Sequence, residues 1–318
     1  MFVGYMSKIL EILVIDKKKT WTKNLSSDSN EFLVDLDDNV IGELLQKRDL
    51  LDQHNIQHFT HLETQIQHIK QAILIQGCGF CVINGTNFTA FDKHELSNIH
   101  ILISKIFGEL LIQNKQGEQT VEVKDLGKTL STGGRYHHTK EGGSYHTDGC
   151  HIFENPPDYV GLLCLNPAKN GGVSKFISAY TIHNKLQEDK NLLRILYEKF
   201  YMDKRNENQA DEAPTQFVPI FTYNNGKLNC RCCQRELIDS GHEKMNKPLT
   251  EYQKNALDNL DKLLANENLA VSYLLKKGDM MYSNNKWLIH DRTDFEDSDD
   301  ENLKRALLRT WIRERDNN

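Results

Sequence analysis

The sequence predicts a mainly β fold with added α-helices, and three observations point there. Strand-like stretches at uneven spacing fill the second half of the chain, amphipathic helices precede and interrupt them, and no regular βαβ alternation runs through the sequence. Such a pattern suits a jelly-roll sandwich carrying outer helices better than a parallel, doubly wound sheet. With 318 residues, Lys+Arg 39, Asp+Glu 45, 38% hydrophobic and 26% charged residues, the chain can bury a sizeable core and is too apolar to be disordered. One domain with additions is expected.

Each element has its own signal. Leu62, Ile66, Ile69 and Ile73 recur at helical spacing before Gly77, and Gly79 to Ile83 then reads as a buried strand. Leu96, Ile99, Ile103 and Ile106 form a second helical stripe that stops at Gly108. A third helix is expected over Ala179 to Phe200. A fourth follows Thr250, which with Gln253 makes a capping box ahead of Leu257, Leu260 and Leu264. Strands are expected at Tyr159 to Leu165, Val173 to Ile177, Phe217 to Tyr223, Ala270 to Leu275, Met280 to Tyr282, Trp287 to His290 and Arg305 to Arg313. Gly133 to Gly149, rich in glycine and polar residues, reads as a mobile loop feeding a site, with about 131–145 as part of a lid.

Composition narrows the function. A net charge of −6 argues against a general nucleic-acid binder, which needs a basic surface. No run approaches the roughly 18 apolar residues of a spanning helix, and the first 19 residues lack the layout of a signal peptide. Seven scattered cysteines do not resemble a secreted disulfide framework, so a cytoplasmic protein with reduced thiols is expected. A small-molecule substrate is expected, with no nucleic-acid or membrane partner; oligomeric state is not legible.

The sharpest local feature is Tyr145-His146-Thr147-Asp148. In an extended segment side chains two apart share a face, so the His146 imidazole and the Asp148 carboxylate reach one point. His290, ending the strand-like Trp287 to His290, is the candidate third ligand. Two histidines and a carboxylate can occupy one face of Fe(II) and leave the remaining positions open. In the last strand Arg305, Leu307, Arg309, Trp311 and Arg313 fall on one face; an inward arginine there needs a carboxylate, from protein or from ligand. The acidic run from Asp294 to Glu301 offers an alternative, solvated partner.

Taken in order, His146-Thr147-Asp148, Pro157 to Leu165, Gly171-Gly172-Val173-Ser174, Gly278-Asp279, Asn284-Asn285, His290 to Thr293 and Arg305 to Arg309 resemble the taurine dioxygenase/clavaminate synthase-like (TauD/TfdA) family of Fe(II)- and 2-oxoglutarate-dependent oxygenases. The resemblance covers about residues 60 to 313 and implies a double-stranded β-helix (jelly roll, cupin-like) with outer helices. It divides the chain into an N-terminal extension of unassigned role, 1–55, and a single oxygenase domain, 56–318, with helical inserts at about 179–200 and 250–266.

The resemblance also implies roles. His146, Asp148 and His290 resemble the iron ligands; Arg305 resembles the arginine that binds the distal carboxylate of 2-oxoglutarate, Arg309 lies one repeat along the same face and shares the cosubstrate assignment, and Ser174 stands where a hydroxyl often contacts it. Arg135, Tyr136, Tyr145 and His151 are expected to contact substrate from the loop over the site. Because Asp148 is a carboxylate, the halogenating variation of the family, which has a small residue there, is excluded. The implied reaction uses Fe(II), 2-oxoglutarate and O₂ to hydroxylate an unactivated C–H bond, with release of succinate and CO₂. A substrate that is an amino acid, or built from one, is suggested by Pro157-Asp158-Tyr159 and the stretch from Asn285 to Arg292. A Zn or Mn hydrolase or isomerase on the same ligands, and a non-catalytic binding module, are the alternatives.

Other clusters read as structural. His54, His58, His61 and His68 lack a completing ligand, His183 falls in a helical pattern, and Cys230, Cys232, Cys233 and His242 do not have the usual zinc-knuckle spacing.

Overall fold

In the computed structural model, residues 8–129, 136–208 and 211–315 are described. A seven-stranded sheet runs in the order Leu33–Val34, Phe80–Ile83, Met280–Asn284, Tyr159–Asn166, Ala306–Arg313 and Glu109–Leu110, with Thr120–Val123 also paired to Ala306–Arg313. A three-stranded sheet is built from Val271–Tyr273, Ser174–Ser178 and Leu288–Arg292. The result is a mixed α/β fold in which most strand pairs are antiparallel. Leu33–Val34 pairs in parallel with Phe80–Ile83.

The two sheets share one apolar core, because the inward residues of each alternate with outward ones. Phe80 of the large sheet stacks on Phe176 of the small one, with ring centroids 4.5 Å apart, and on Phe32 at 4.8 Å. A second core fills the opposite face of the large sheet. There Leu62, Ile66 and Ile69 from Thr60–Ile69 meet Ile99, Leu102, Ile103 and Ile106 from Lys93–Phe107, over Cys81, Ile83, Leu163 and Met280. Both helical stripes are where the apolar spacing put them. The helix Lys93–Phe107 is fixed at its start by a capping box between Asp92 and Glu95.

Several expected elements are subdivided. The helix expected over Ala179 to Phe200 is two helices, Ala179–Leu186 and Lys190–Ile195, followed by the strand Lys199–Asp203. Asp189 restarts the chain as an N-cap, accepting from the amides of Asn191 and Leu192, and the strand is fixed by pairing with Thr215–Pro219. The strand expected over Phe217 to Tyr223 breaks after Pro219, and Phe221–Asn224 turns back on Lys227–Cys230. That hairpin uses Asn225-Gly226, both at positive φ (52° and 76°), the chemistry a two-residue β-turn demands. The helix Glu251–Leu264 forms as expected, with Thr250 and Gln253 completing its capping box.

Within the expected extension, residues 8–55 pack on the body. Trp21 Nε1 donates to the Cys78 carbonyl at 3.0 Å, and Thr181 Oγ1 donates to the Trp21 carbonyl at 2.6 Å. Among the described residues, no helix is long and apolar enough to cross a membrane.

Candidate active site

His146 and His290 face each other as an isolated antiparallel pair. Each amide donates to the other's carbonyl at 2.9 Å. Their rings therefore lie side by side, with centroids 4.5 Å apart, and Asp148, two residues on along the same face, completes the group. One ligand atom from each of the three lies within 4.8 Å of the other two; His146 Nε2 is 3.5 Å and His290 Nε2 3.9 Å from Asp148 Oδ1. The sequence places all three donors; the sheet brings them together.

The neighbouring groups prepare these side chains to bind a cation. His146 Nδ1 sits 2.7 Å from the Ser144 carbonyl, an acceptor only, so Nδ1 carries a proton and Nε2 is the nitrogen turned to Asp148, where a metal would take the place of any proton on it. Burial opposes charge on His146, but the Asp148 hydrogen bond and charge and the Ser144 carbonyl together raise its pKa. Burial, followed by the proximity of His146, drives His290 down to about 3, so this imidazole stays neutral, the form that ligates metal. Its Nδ1 is buried and unpartnered among the described residues. Burial would raise Asp148, yet Arg309, the His146 hydrogen bond and His290 hold its carboxyl well below the usual range. An ionised carboxylate beside two imidazoles fits a divalent iron.

Asp148 is held from three directions. Trp311 Nε1 donates to Oδ2 at 2.8 Å, and Arg309 Nη1 lies 3.4 Å and 3.5 Å from the two carboxylate oxygens. Asn285 clamps the backbone, accepting from the Asp148 amide at 2.8 Å and donating to its carbonyl and to that of Pro157 at 2.9 Å each. Trp311 and Asn285 have no functional role in the sequence reading. The signal for Trp311 was present: it shares the strand face of Arg309. Nothing in the sequence identifies what the Asn285 amide reaches.

Two cavities meet at the triad, sharing Tyr136, His146, Asp148 and Arg309. The inner one adds His290, Arg305, Ser174, Leu162 and Leu307, so it collects the expected cosubstrate residues beside the metal ligands. Arg305 is buried, its guanidinium over the Phe295 ring at 4.9 Å, and it has no carboxylate partner among the described residues. Burial, then the nearby Arg292, lower its pKa to about 10, which leaves it charged at neutral pH. A desolvated, unpaired arginine facing a cavity calls for an anionic ligand. The acidic run does not neutralise it; Asp297 Oδ1 accepts instead from the Arg305 backbone amide at 2.8 Å.

The outer cavity adds Gln113, Cys150, His151, Arg205, Glu207, Gln234 and Trp311. His151 therefore lines the cavity beside the triad. Tyr145 lines neither cavity at the triad: strand alternation turns it to the face opposite His146, where its hydroxyl is buried and unpartnered. Arg135 lies outside the described residues, as do part of the expected lid and the side chain of His137. The described part of that Gly-rich segment is fastened rather than loose. Tyr136 donates to Asp291 at 2.7 Å, the Ser144 amide donates to the same carboxylate at 2.9 Å, and Arg292 donates to the carbonyls of Thr139, Lys140 and Glu141. Of the expected structural clusters, His242 is taken up by the Lys247 carbonyl and the Tyr201 amide, away from Cys233.

Comparison with known proteins agrees with this arrangement. The asparagine oxygenase structure solved with Fe(II), 2S,3S-3-hydroxyasparagine and succinate aligns over 88% of this chain and 93% of its own, with a TM-score of 0.68 and 16% identity. The non-heme iron oxygenase OrfP, solved with Fe, succinate and (3S)-hydroxy-L-Arg, aligns over 88% and 94%, with a TM-score of 0.65 and 13% identity. In sequence, FR-33289 synthase of Streptomyces rubellomurinus is 28% identical over 308 residues, 93% of this chain and 89% of the relative. A taurine hydroxylase-like protein of Stachybotrys chartarum is 28% identical over 169 residues, 52% of this chain and 40% of its own. The model of the taurine catabolism dioxygenase TauD, TfdA family matches residues 47–311, most of the chain, and with the His146, Asp148 and His290 facial triad in place the protein belongs to that family of dioxygenases.

Proposed function

We propose that the protein is an Fe(II)- and 2-oxoglutarate-dependent hydroxylase acting on an amino acid or a small molecule derived from one. The observation that carries this reading is the pairing of a buried, carboxylate-free Arg305 with the His146, Asp148 and His290 donors along one cavity, while a second cavity opens on the other side of the same donors. His146, Asp148 and His290 would hold the iron. Arg305, with Ser174 beside it, would receive the distal carboxylate of 2-oxoglutarate in the inner cavity. When bound, iron and 2-oxoglutarate would supply the activation of O₂, the oxidant: one oxygen atom goes to the unactivated carbon as a hydroxyl and the other into succinate, as 2-oxoglutarate loses CO₂.

The chain's own residues divide the work. Trp311 and Arg309 keep Asp148 ionised and oriented, so the carboxylate is ready before metal arrives. Leu162, Leu307, Phe176 and Met281 wall the inner cavity with apolar surface, which keeps water from competing for the Arg305 charge. In the outer cavity Arg205 and Glu207 provide both signs of charge, a complement to the carboxylate and ammonium groups of an amino acid. The asparagine- and arginine-derived ligands held by asparagine oxygenase and OrfP support that substrate class.

The two facing sheets support a double-stranded β-helix reading, with Phe80 and Phe176 across its interior. We take 56–318 as the oxygenase domain and 1–55 as an extension whose Trp21 and Phe32 brace it. The unpaired thiols support a cytoplasmic setting. An anaerobic titration of metal-free protein with Fe(II) and then 2-oxoglutarate tests the class through the visible metal-to-ligand charge-transfer band. A succinate-release screen across amino acids then tests the substrate. No band in fully metallated protein would remove the oxygenase reading.

A further inference from the structure

A second group of metal-type donors stands in the wall of the outer cavity. Cys150, His151 and Cys233 each present one ligand atom within 4.8 Å of the other two, although Cys233 belongs to a distant part of the chain. Cys150 Sγ is 3.9 Å from His151 Nδ1 and 3.2 Å from the Cys232 carbonyl. A tight turn puts the first two donors there. Gly149 has φ +68°, and a Cβ on it would come within 2.8 Å of the Phe153 ring, so the chain can swing back after Asp148 only with glycine at this position. Cys233 arrives from the other side, just ahead of the helix Arg235–Lys244.

The remaining thiols behave differently. Cys81 and Cys164 are fully buried side chains within the apolar cores, and Cys78, Cys230 and Cys232 are packed likewise. Such cysteines are small hydrophobes with no ligand role. Cys150, His151 and Cys233 instead converge on a cavity, which Arg205, Glu207 and Gln234 also line. Two sulfurs and an imidazole are the donors that zinc prefers, and three protein ligands leave the fourth tetrahedral position to the cavity.

We propose that Cys150, His151 and Cys233 bind a zinc ion at the wall of the outer cavity, separate from the His146, Asp148 and His290 centre. Both thiols lose their protons to solvent as the ion binds. The same cavity is lined by His146 and Asp148, so the two groups of donors stand in one wall. The site does not depend on the hydroxylase reading, because none of its donors serves the iron triad.

Cobalt(II) distinguishes the two centres, since only sulfur ligation gives an intense near-ultraviolet thiolate-to-cobalt band. Fully reduced, metal-free protein is titrated with Co(II), alongside Cys233→Ser, His151→Ala and His290→Ala. The wild type and His290→Ala should develop the band at one equivalent bound to sulfur. Cys233→Ser should lose at least half its intensity, His151→Ala should need at least tenfold more cobalt, and zinc should erase the band wherever it forms. The partly exposed Cys233 and His151 are replaceable without opening the core, and wild type against His290→Ala decides the question even if one variant fails to fold. Cobalt bound by wild type with no sulfur band, or a band of undiminished intensity in Cys233→Ser, overturns the proposal.

Discussion

Trp311 Nε1 donates to Asp148 Oδ2 at 2.8 Å, so the last strand of the sheet reaches across the site and orients a carboxylate whose neighbours are both imidazoles. Trp311→Phe keeps the ring against Phe153 but removes that donor. Partners of metal ligands typically contribute 10- to 100-fold in metal affinity, so Fe(II) should bind about 10-fold more weakly in Trp311→Phe. Equilibrium Fe(II) titration checks this, with Asp148→Ala as the reference for complete loss. An unchanged Fe(II) affinity would show that Arg309 alone orients the carboxylate.

Arg305→Ala should raise the 2-oxoglutarate requirement far more than it lowers Fe(II) affinity. Hydrogen bonds to charged groups contribute about 1.5–3 kcal/mol, which corresponds to roughly 10- to 150-fold. Arg305→Lys restores charge without the planar fork and should recover only part of the loss. Measuring succinate release against 2-oxoglutarate concentration separates these outcomes; equal losses in Fe(II) and 2-oxoglutarate binding would assign Arg305 to the fold instead.

Asn285→Ala should cost stability as well as metal affinity. Its amide serves the Asp148 amide and two carbonyls while nearly fully buried, so truncation leaves several backbone groups unpaired. A loss of about 2–3 kcal/mol is expected in chemical denaturation. A change under about 0.5 kcal/mol, the ordinary range of surface substitutions, would mean water replaces the amide.

Acid should destabilise the protein through two buried histidines remote from the metal donors. Burial lowers His100 to about 3 and His183 to about 4. His100 is hydrogen-bonded to Tyr282 Oη at 2.9 Å and Thr310 Oγ1 at 3.3 Å. Both folded values lie below the unfolded value of about 6.5, so the unfolded chain binds more protons between them. Their contribution is complete above about pH 6.5 and is lost as pH falls towards 4 for His183 and 3 for His100. Each group then adds a slope of at most about 1.4 kcal/mol per pH unit. Stability measured across that range should fall less steeply in His100→Gln, and parallel curves would reject the assignment.

Much of the site was legible because its signals are periodic or local. His146 and Asp148 are two apart, and Leu307, Arg309 and Trp311 alternate along one strand just after Arg305, so facing direction follows from the pleat. The same alternation excludes Tyr145 from the cavity, which proximity in sequence obscured. Helices were legible where an apolar stripe ended at a cap, as in Lys93–Phe107; over 179–200 a continuing stripe concealed the Asp189 cap and the strand pairing after it. Asn225-Gly226 marked a hairpin that the strand expected there did not include. The Asn285 clamp and the meeting of Cys150 with Cys233 depend on tertiary closure, which leaves no spacing to detect.

The His146 and His290 backbones are mutual ladder partners, so the gap between the two imidazoles is set by the width of a strand pair. Exposed loops between them in the chain, such as the Asn225-Gly226 turn, can lengthen, shorten or be exchanged without altering that gap. The chemistry at the ligands is thereby insulated from the loops that vary what is brought to them. A one-residue insertion between His146 and Asp148, by contrast, reverses the carboxylate to the other face, so two adjacent stretches of this chain differ sharply in how much change they tolerate.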